Sequence, residues 1–192
     1  MKQEILENKS RYQSNGTPEQ ARMYARDASH VSAAIESLYQ EGVLHEFDDY
    51  LREVKKYQPA ELQGVGSRNL DSALAAMERT SQQGTLWSNG QISFEEKLAL
   101  LQQQYGAGSS VSRESALAYM ILHELGHNYQ DINTKNPEAE NDRDIADFAK
   151  AMMDKYRSDP KMLSVYQGVF EIAQSRLQHS PQSYRSIDTY VN

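Results

Sequence analysis

The chain has 192 residues and a formal net charge of -7, and this length suffices for one domain with its own hydrophobic core. The 27 acidic residues outnumber the 20 Lys and Arg residues, and no extended basic cluster occurs, so a nucleic-acid-binding surface is not expected. The chain has no cysteine, which excludes disulfides and thiolate metal ligands.

We predict a single domain over residues 1–192, with the polar residues 1–16 as a flexible arm. The first seven residues lack the apolar core of a signal peptide. Nowhere does the chain carry the run of about 18 apolar residues that a membrane-spanning helix needs. The sequence therefore predicts no membrane insertion, and either a cytoplasmic location or export by a route without a cleavable signal.

Hydrophobic periodicity predicts helices along the first part of the chain. Thr17-Pro18-Glu19-Gln20 has the threonine cap, the early proline and the glutamine that are typical of a helix start. Gly42 is expected to end this helix. Apolar residues at helical spacing predict a second helix over 44–58 and a third that begins after Asn69.

One stretch, residues 85–93, favours β structure. Thr85-Leu86-Trp87-Ser88 and Gln91-Ile92-Ser93 flank Asn89-Gly90, and Asn-Gly is the pair most typical of a tight type I′ hairpin turn. We therefore expect a mostly α fold of the α+β class, with a small β-hairpin or sheet.

Four further helices are predicted towards the C terminus. A capping box at residues 93–96 begins the first of them. The second covers about residues 112–131 and is apolar on every side over residues 116–122, just before His123. Pro137 begins a third, acidic helix, and the break at residues 158–160 separates it from a last amphipathic helix.

The helix predicted over 112–131 carries the motif His123-Glu124-Leu125-Gly126-His127. Histidines four residues apart share a helical face, so both imidazoles can reach one zinc ion at about 2.0 to 2.1 Å. Glu124 is rotated by about 100° from that face. Its carboxylate is poorly placed as a ligand, but it can serve as the general base for a water at the metal.

The surroundings of the motif also favour a metal site. Two histidines in a buried helix need polar or ionic partners, and a metal ion supplies one. Gly126 costs about 1 kcal/mol relative to alanine inside a helix. Its presence indicates that something approaches the helix backbone closely beside His127.

This helix resembles the active-site helix of the zincin metallopeptidases, and the likeness extends loosely to the acidic helix that follows. By resemblance to the gluzincin type, His123 and His127 would bind zinc, Glu124 would be the base, and a carboxylate from a following helix would be the third ligand. In zincins this helix lies beneath a sheet whose edge strand pairs with an extended substrate. The hairpin at 85–93 would then be either that edge or a purely stabilising element.

Two carboxylates are candidates for the third ligand. Steps of about 100° per residue from the apolar stripe of the acidic helix place Glu138 and Asp142 on its buried side. Their spacing also resembles the gluzincin pattern, in which the glutamate binds the metal and the aspartate bonds a ligating imidazole. We rank Glu138 first and Asp142 second. His179 remains a further candidate ligand or donor, and Tyr184 and Tyr190 are candidate oxyanion donors by position only.

The function expected from these features is that of a metallopeptidase with one zinc ion per chain, acting on a peptide or protein substrate. The small size, the absence of cysteine and the lack of a recognisable propeptide extend this expectation to a bacterial effector or toxin protease. The alternative is a non-catalytic, zincin-like metal-binding interaction domain. Glu124 between the two histidines favours the enzyme, because a structural zinc ion has no use for a base there.

Overall fold

The computed structural model describes residues 18–54, 70–82, 93–105, 111–130 and 135–178. Within these ranges the chain forms seven α-helices and no strand. In chain order the helices are α1 (Pro18–Gln40), α2 (Val43–Val54), α3 (Leu70–Gln82), α4 (Phe94–Tyr105), α5 (Arg113–His127), α6 (Pro137–Lys155) and α7 (Pro160–Gln178).

The expected α+β class, with a hairpin or sheet beside the motif helix, is wrong. The described residues are entirely helical in their regular structure, and α5 packs against helices α1, α3, α4, α6 and α7. An apolar helix can be covered equally well by a sheet or by other helices, and here helices cover it. Residues 85–92, in which the hairpin turn was predicted, lie outside the described residues.

Local sequence signals explain where several helices begin and end. Gly42 follows α1 with a φ of 80°, a conformation that glycine adopts without steric cost. At the start of α4, the Ser93 amide donates to Glu96 Oε2 at 2.7 Å and the Glu96 amide donates to Ser93 Oγ at 3.2 Å. This reciprocal pair is the predicted capping box.

The motif helix α5 is shorter than predicted at its C-terminal end. Ser112 caps its start through hydrogen bonds with Ser115, close to the expected position. The helix ends at His127 rather than near residue 131. Asn128 caps this end: its side-chain nitrogen donates to the carbonyl of Glu124 at 3.1 Å, which satisfies a carbonyl that the next turn would otherwise bond.

The core is built around α5. Helices α6 and α7 pack along each other and both contact α5, so three helices meet at the half of α5 that carries the motif. The largest fully buried side chains lie on five of the seven helices, α2, α4, α5, α6 and α7. They are Leu44, Phe47 and Leu51; Phe94 and Leu98; Tyr119, Ile121, Leu122 and Leu125; Ile145 and Phe148; and Tyr166. None of the helices in the described ranges combines the length and apolar character needed to cross a membrane.

Polar contacts attach α2 to the rest of this core. The hydroxyl of Tyr129, just after α5, donates to Asp48 of α2, and Glu46 accepts hydrogen bonds from Lys155 and Tyr166. The predicted arm over 1–16 and the candidates His179, Tyr184 and Tyr190 lie outside the described residues.

Candidate metal centre

Three side chains from two helices converge at the C-terminal end of α5. Nε2 of His123 lies 3.1 Å from Nε2 of His127. The carboxylate of Glu138, in the first turn of α6, lies 3.1 Å from Nε2 of His123 and 3.4 Å from Nε2 of His127. Among the described residues, these three form the group of His and acidic side chains that could hold a metal ion together.

The spacing of this group fits a tetrahedral zinc ion. Ligands at zinc's usual distances of about 2.0 to 2.2 Å lie roughly 3.3 to 3.5 Å from one another at tetrahedral angles. The two Nε2 atoms lie 3.1 Å apart, Oε2 of Glu138 lies 3.1 Å from His123, and Oε1 of Glu138 lies 3.4 Å from His127. Each of these separations is close to the spacing of two ligands of one zinc ion. Two imidazole nitrogens and one carboxylate are also a ligand set that zinc commonly takes.

The other nitrogen of His123 is held by a hydrogen-bonded chain. The hydroxyl of Tyr119 donates a hydrogen bond to Asp142, and the hydroxyl oxygen lies 3.2 Å from Nδ1 of His123. Burial and the carboxylate of Asp142 raise the pKa of Tyr119 well above its ordinary value, so the phenol keeps its proton. Because that proton points to Asp142, the phenol oxygen can only accept from Nδ1–H of His123. Nε2 then presents its lone pair to the converging group.

Gln130 fixes the tautomer of His127. Its side-chain nitrogen donates to the carbonyl of Pro137, which orients the amide so that Oε1 faces His127. Oε1 lies 2.8 Å from Nδ1 of His127 and can only accept a hydrogen bond. Nδ1 of His127 therefore carries the hydrogen, and its Nε2 also presents a lone pair to the group.

Two lone pairs and a carboxylate that face one another at these distances require a cation between them. Burial by itself lowers the pKa of His123, but its hydrogen bonds to Asp142 and Glu138 raise the pKa to about 9. Burial and the nearby His123 lower the pKa of His127. A proton on His123 can therefore serve as the cation, and a zinc ion would take its place.

Asp142 and Arg176 lie behind the converging group. Asp142 is fully buried and its Oδ1 lies 3.5 Å from Nδ1 of His123. Burial alone raises the pKa of Asp142, but His123 and Arg176 bring it below its ordinary value. Asp142 thus stays ionised and orients the imidazole, and it does not belong to the group that faces the metal position.

Glu124 lies half-buried on α5, one residue after His123, and does not belong to the converging group either. The structure thus brings His123, His127 and Glu138 together and places Asp142 behind His123. Metal binding itself and the role of Glu124 as a base remain predictions.

Sequence reasoning missed Tyr119, Gln130 and Arg176. Tyr119 precedes His123 by four residues, so the i,i+4 rule could have found it. Gln130 follows the helix end, where its contacts depend on the turn. Arg176 is far along the chain in the last turn of α7, where a cation is ordinarily explained by the helix dipole.

Comparison of the chain with protein-family models, with curated proteins and with solved structures gave no match.

Proposed function

We propose that this chain is a zinc-dependent hydrolase that cleaves peptide bonds. The observation that carries the proposal is the convergence of His123, His127 and Glu138, whose Nε2 atoms and nearest carboxylate oxygens lie 3.1 to 3.4 Å apart, close to the spacing of ligands around a tetrahedral zinc ion. Three protein ligands leave a fourth position for water or substrate, whereas a structural zinc ion normally has four. This ligand number supports a catalytic role.

Partial exposure of the group also supports this proposal. The side chain of His123 is 4% exposed, whereas those of His127 and Glu138 are 29% and 22% exposed. One side of the group is therefore buried in the junction of α5, α6 and α7, and the other is open to solvent. A substrate can approach from the open side.

When bound, the zinc ion would polarise the scissile carbonyl and acidify a water molecule. His123, His127 and Glu138 would hold the ion, and Tyr119, Asp142 and Gln130 would keep the two imidazoles in the tautomer that binds it. Glu124 would accept a proton from the attacking water and pass it to the leaving amine. The substrate would then be a peptide or protein.

The first experiment measures zinc content. Purified protein reconstituted with zinc should retain about one ion per chain, because His123, His127 and Glu138 would supply three ligands to a single ion. His123→Ala and His127→Ala should lose it. His45→Ala is the matched control, since His45 is exposed on α2 and packs against Tyr39, and it should retain zinc. A wild-type protein that retains no zinc would overturn the proposal.

The second experiment tests the base. Glu124→Gln preserves the shape of the side chain and leaves the three ligands in place, so zinc content should not change. Cleavage of a broad peptide pool should fall by about 10²- to 10⁴-fold, the usual contribution of general acid–base catalysis. Equal cleavage by Glu124→Gln and wild type would contradict the mechanism. Zinc binding without any cleavage by wild type would favour the non-catalytic interaction domain.

A further inference from the structure

Arg176 of α7 reaches both carboxylates of the site described above. Its Nε donates to Oδ2 of Asp142 at 2.9 Å, and its Nη2 lies 3.4 Å from Oε2 of Glu138. Its side chain is 10% exposed. An unpaired charge is costly away from water, so the two carboxylates stabilise the guanidinium in this largely buried position.

The spacing of the two carboxylates explains why a cation is needed between them. Glu138 and Asp142 are four residues apart on α6, so they lie one turn apart on the same face and repel each other. The planar guanidinium has donors that point in different directions. It can therefore bond Asp142 with one nitrogen and face Glu138 with another, which a lysine ammonium could not reproduce in the same geometry.

Tyr119 limits the movement of this guanidinium from a third direction. The central carbon of the Arg176 guanidinium lies 5.9 Å from the centre of the Tyr119 ring, within the range of a cation–π contact. Tyr119 itself is fully buried and bonded to Asp142. Arg176 is thus held by Asp142 and Tyr119, and its Nη2 lies beside Oε2 of Glu138.

We propose that Arg176 is a positioning residue for the metal site, because it holds Oε2 of Glu138 beside Nε2 of His123, where this oxygen can bind the ion. This inference rests on the proposed zinc site and specifies how its third ligand is used. Oε2 lies 3.4 Å from Nη2 of Arg176 and 3.1 Å from Nε2 of His123. Without the guanidinium, the repulsion from Asp142 would turn the carboxylate of Glu138 out of this position.

Cobalt(II) substitution tests this role, because the intensity and position of the visible bands of cobalt report its coordination number and geometry. Wild type loaded with cobalt should give the strong bands of a four-coordinate ion. In Arg176→Lys and Arg176→Gln the carboxylate of Glu138 is no longer held beside His123, so the geometry around the ion changes and the bands should weaken and shift. The affinity for zinc, measured by competition with a chelator, should fall about 10- to 100-fold, as for other residues that support a ligand.

Arg113→Lys is the matched control. Arg113 lies at the opposite end of α5 and bonds Glu95 at 2.9 Å, so it should leave the cobalt bands and the zinc affinity unchanged. Circular dichroism of the metal-free proteins shows which variants fold, and one folded Arg176 variant is enough for the test. Folded variants with the wild-type cobalt spectrum and zinc affinity would overturn the inference, as would failure of both to fold, which would assign Arg176 to folding. Absence of cobalt binding in wild type is a different result, because it would remove the metal site itself.

Discussion

The side chain of Asn141 occupies the space that a side chain at position 126 would need. A Cβ built on Gly126 would lie 1.9 Å from Oδ1 of Asn141, and Nδ2 of the same Asn141 donates to the carbonyl of His123 at 2.6 Å. Asn141 is 1% exposed. Helix α6 therefore contacts the backbone of α5 within the motif itself, between the two histidines, and this contact sets the distance of Glu138 from them.

Gly126→Ala should separate these two helices. The added methyl group cannot coexist with the present position of Asn141, so α6 must shift or Asn141 must leave its hydrogen bond. Overpacking of this kind costs about 1 to 3 kcal/mol. We expect a lower free energy of unfolding in urea and a weaker affinity for zinc, because Glu138 moves with α6.

A double-mutant cycle with Asn141→Ala separates the clash from other effects of alanine. Asn141→Ala alone should destabilise the protein, since it removes the hydrogen bond to the carbonyl of His123. In the double variant the space for the new methyl group is free, so the combined loss should be smaller than the sum of the two single losses. Additive losses would mean that the two residues do not compete for this space.

Glu138→Ala and Asp142→Asn should differ in their effect on zinc. Glu138 faces both Nε2 atoms, whereas Asp142 contacts the far nitrogen of His123. Asp142→Asn should weaken zinc binding by about 10- to 100-fold, and Glu138→Ala should weaken it by more. Chelator competition measures both affinities. Asp147→Asn, on the exposed side of α6, is the control, and the reverse order of effects would assign the ligand to Asp142.

Gln130→Ala should weaken zinc binding without removing a ligand. The change deletes the acceptor for Nδ1–H of His127 and the donor to the carbonyl of Pro137. His127 can then rotate or adopt the other tautomer. The zinc affinity should fall by about 10- to 100-fold, and a wild-type affinity in this variant would show that the turn after α5 does not orient the imidazole.

We expect Asp27 to make the free energy of unfolding depend on pH, independently of the metal site. Its Oδ2 accepts from the amide of Phe94 at 3.0 Å, and its Oδ1 has no hydrogen-bond partner among the described residues. Burial raises the pKa of Asp27 above its ordinary value of 3.8. A raised pKa means that folding favours the protonated form. The contribution of protonated Asp27 to the free energy of unfolding is therefore fully present below about pH 3.8 and is lost as the pH rises through the pKa of the folded state.

Asp27→Asn should remove this loss, because the amide keeps the acceptor for Phe94 and carries no charge. Urea unfolding of the metal-free protein between about pH 4 and pH 7 measures the effect. The free energy of unfolding of the variant should exceed that of wild type by an amount that grows with pH. Glu36→Gln, an acid-to-amide change on the exposed face of α1, is the matched control. A constant difference between Asp27→Asn and wild type across this pH range would contradict the assignment.

The relative positions of the residues on the motif helix and on α6 could be predicted from the sequence, because helical geometry relates them. Steps of 100° along α6 placed Glu138 and Asp142 on the side that the structure turns towards His123. The close approach expected at Gly126 is confirmed by Asn141. Both relationships depend on which face of a helix a residue occupies, and the helical repeat determines that face from the sequence alone.

The architecture around the motif could not be read in the same way. The apolar residues of α5 show that it is buried, but they do not show whether a sheet or helices bury it, and the choice of a sheet by resemblance was wrong. Arg176 lies 34 positions beyond Asp142, and their contact depends on how α6 and α7 pack. Periodicity places Arg176 on the same face of α7 as the buried Val169 and Ala173, but it gives no partner for the guanidinium.

The two histidines and Glu138 all lie within residues 123–138, and this proximity along the chain has a consequence for the denatured state. The entropy of closing a loop grows only with the logarithm of its length, but it is smallest for short segments such as this one. An unfolded chain could therefore gather the same three side chains around zinc. Affinity for the unfolded chain reduces the stabilisation that a ligand provides. Zinc should then raise the melting temperature less than its affinity for the folded protein implies, and the segment could acquire its ion before the surrounding helices assemble.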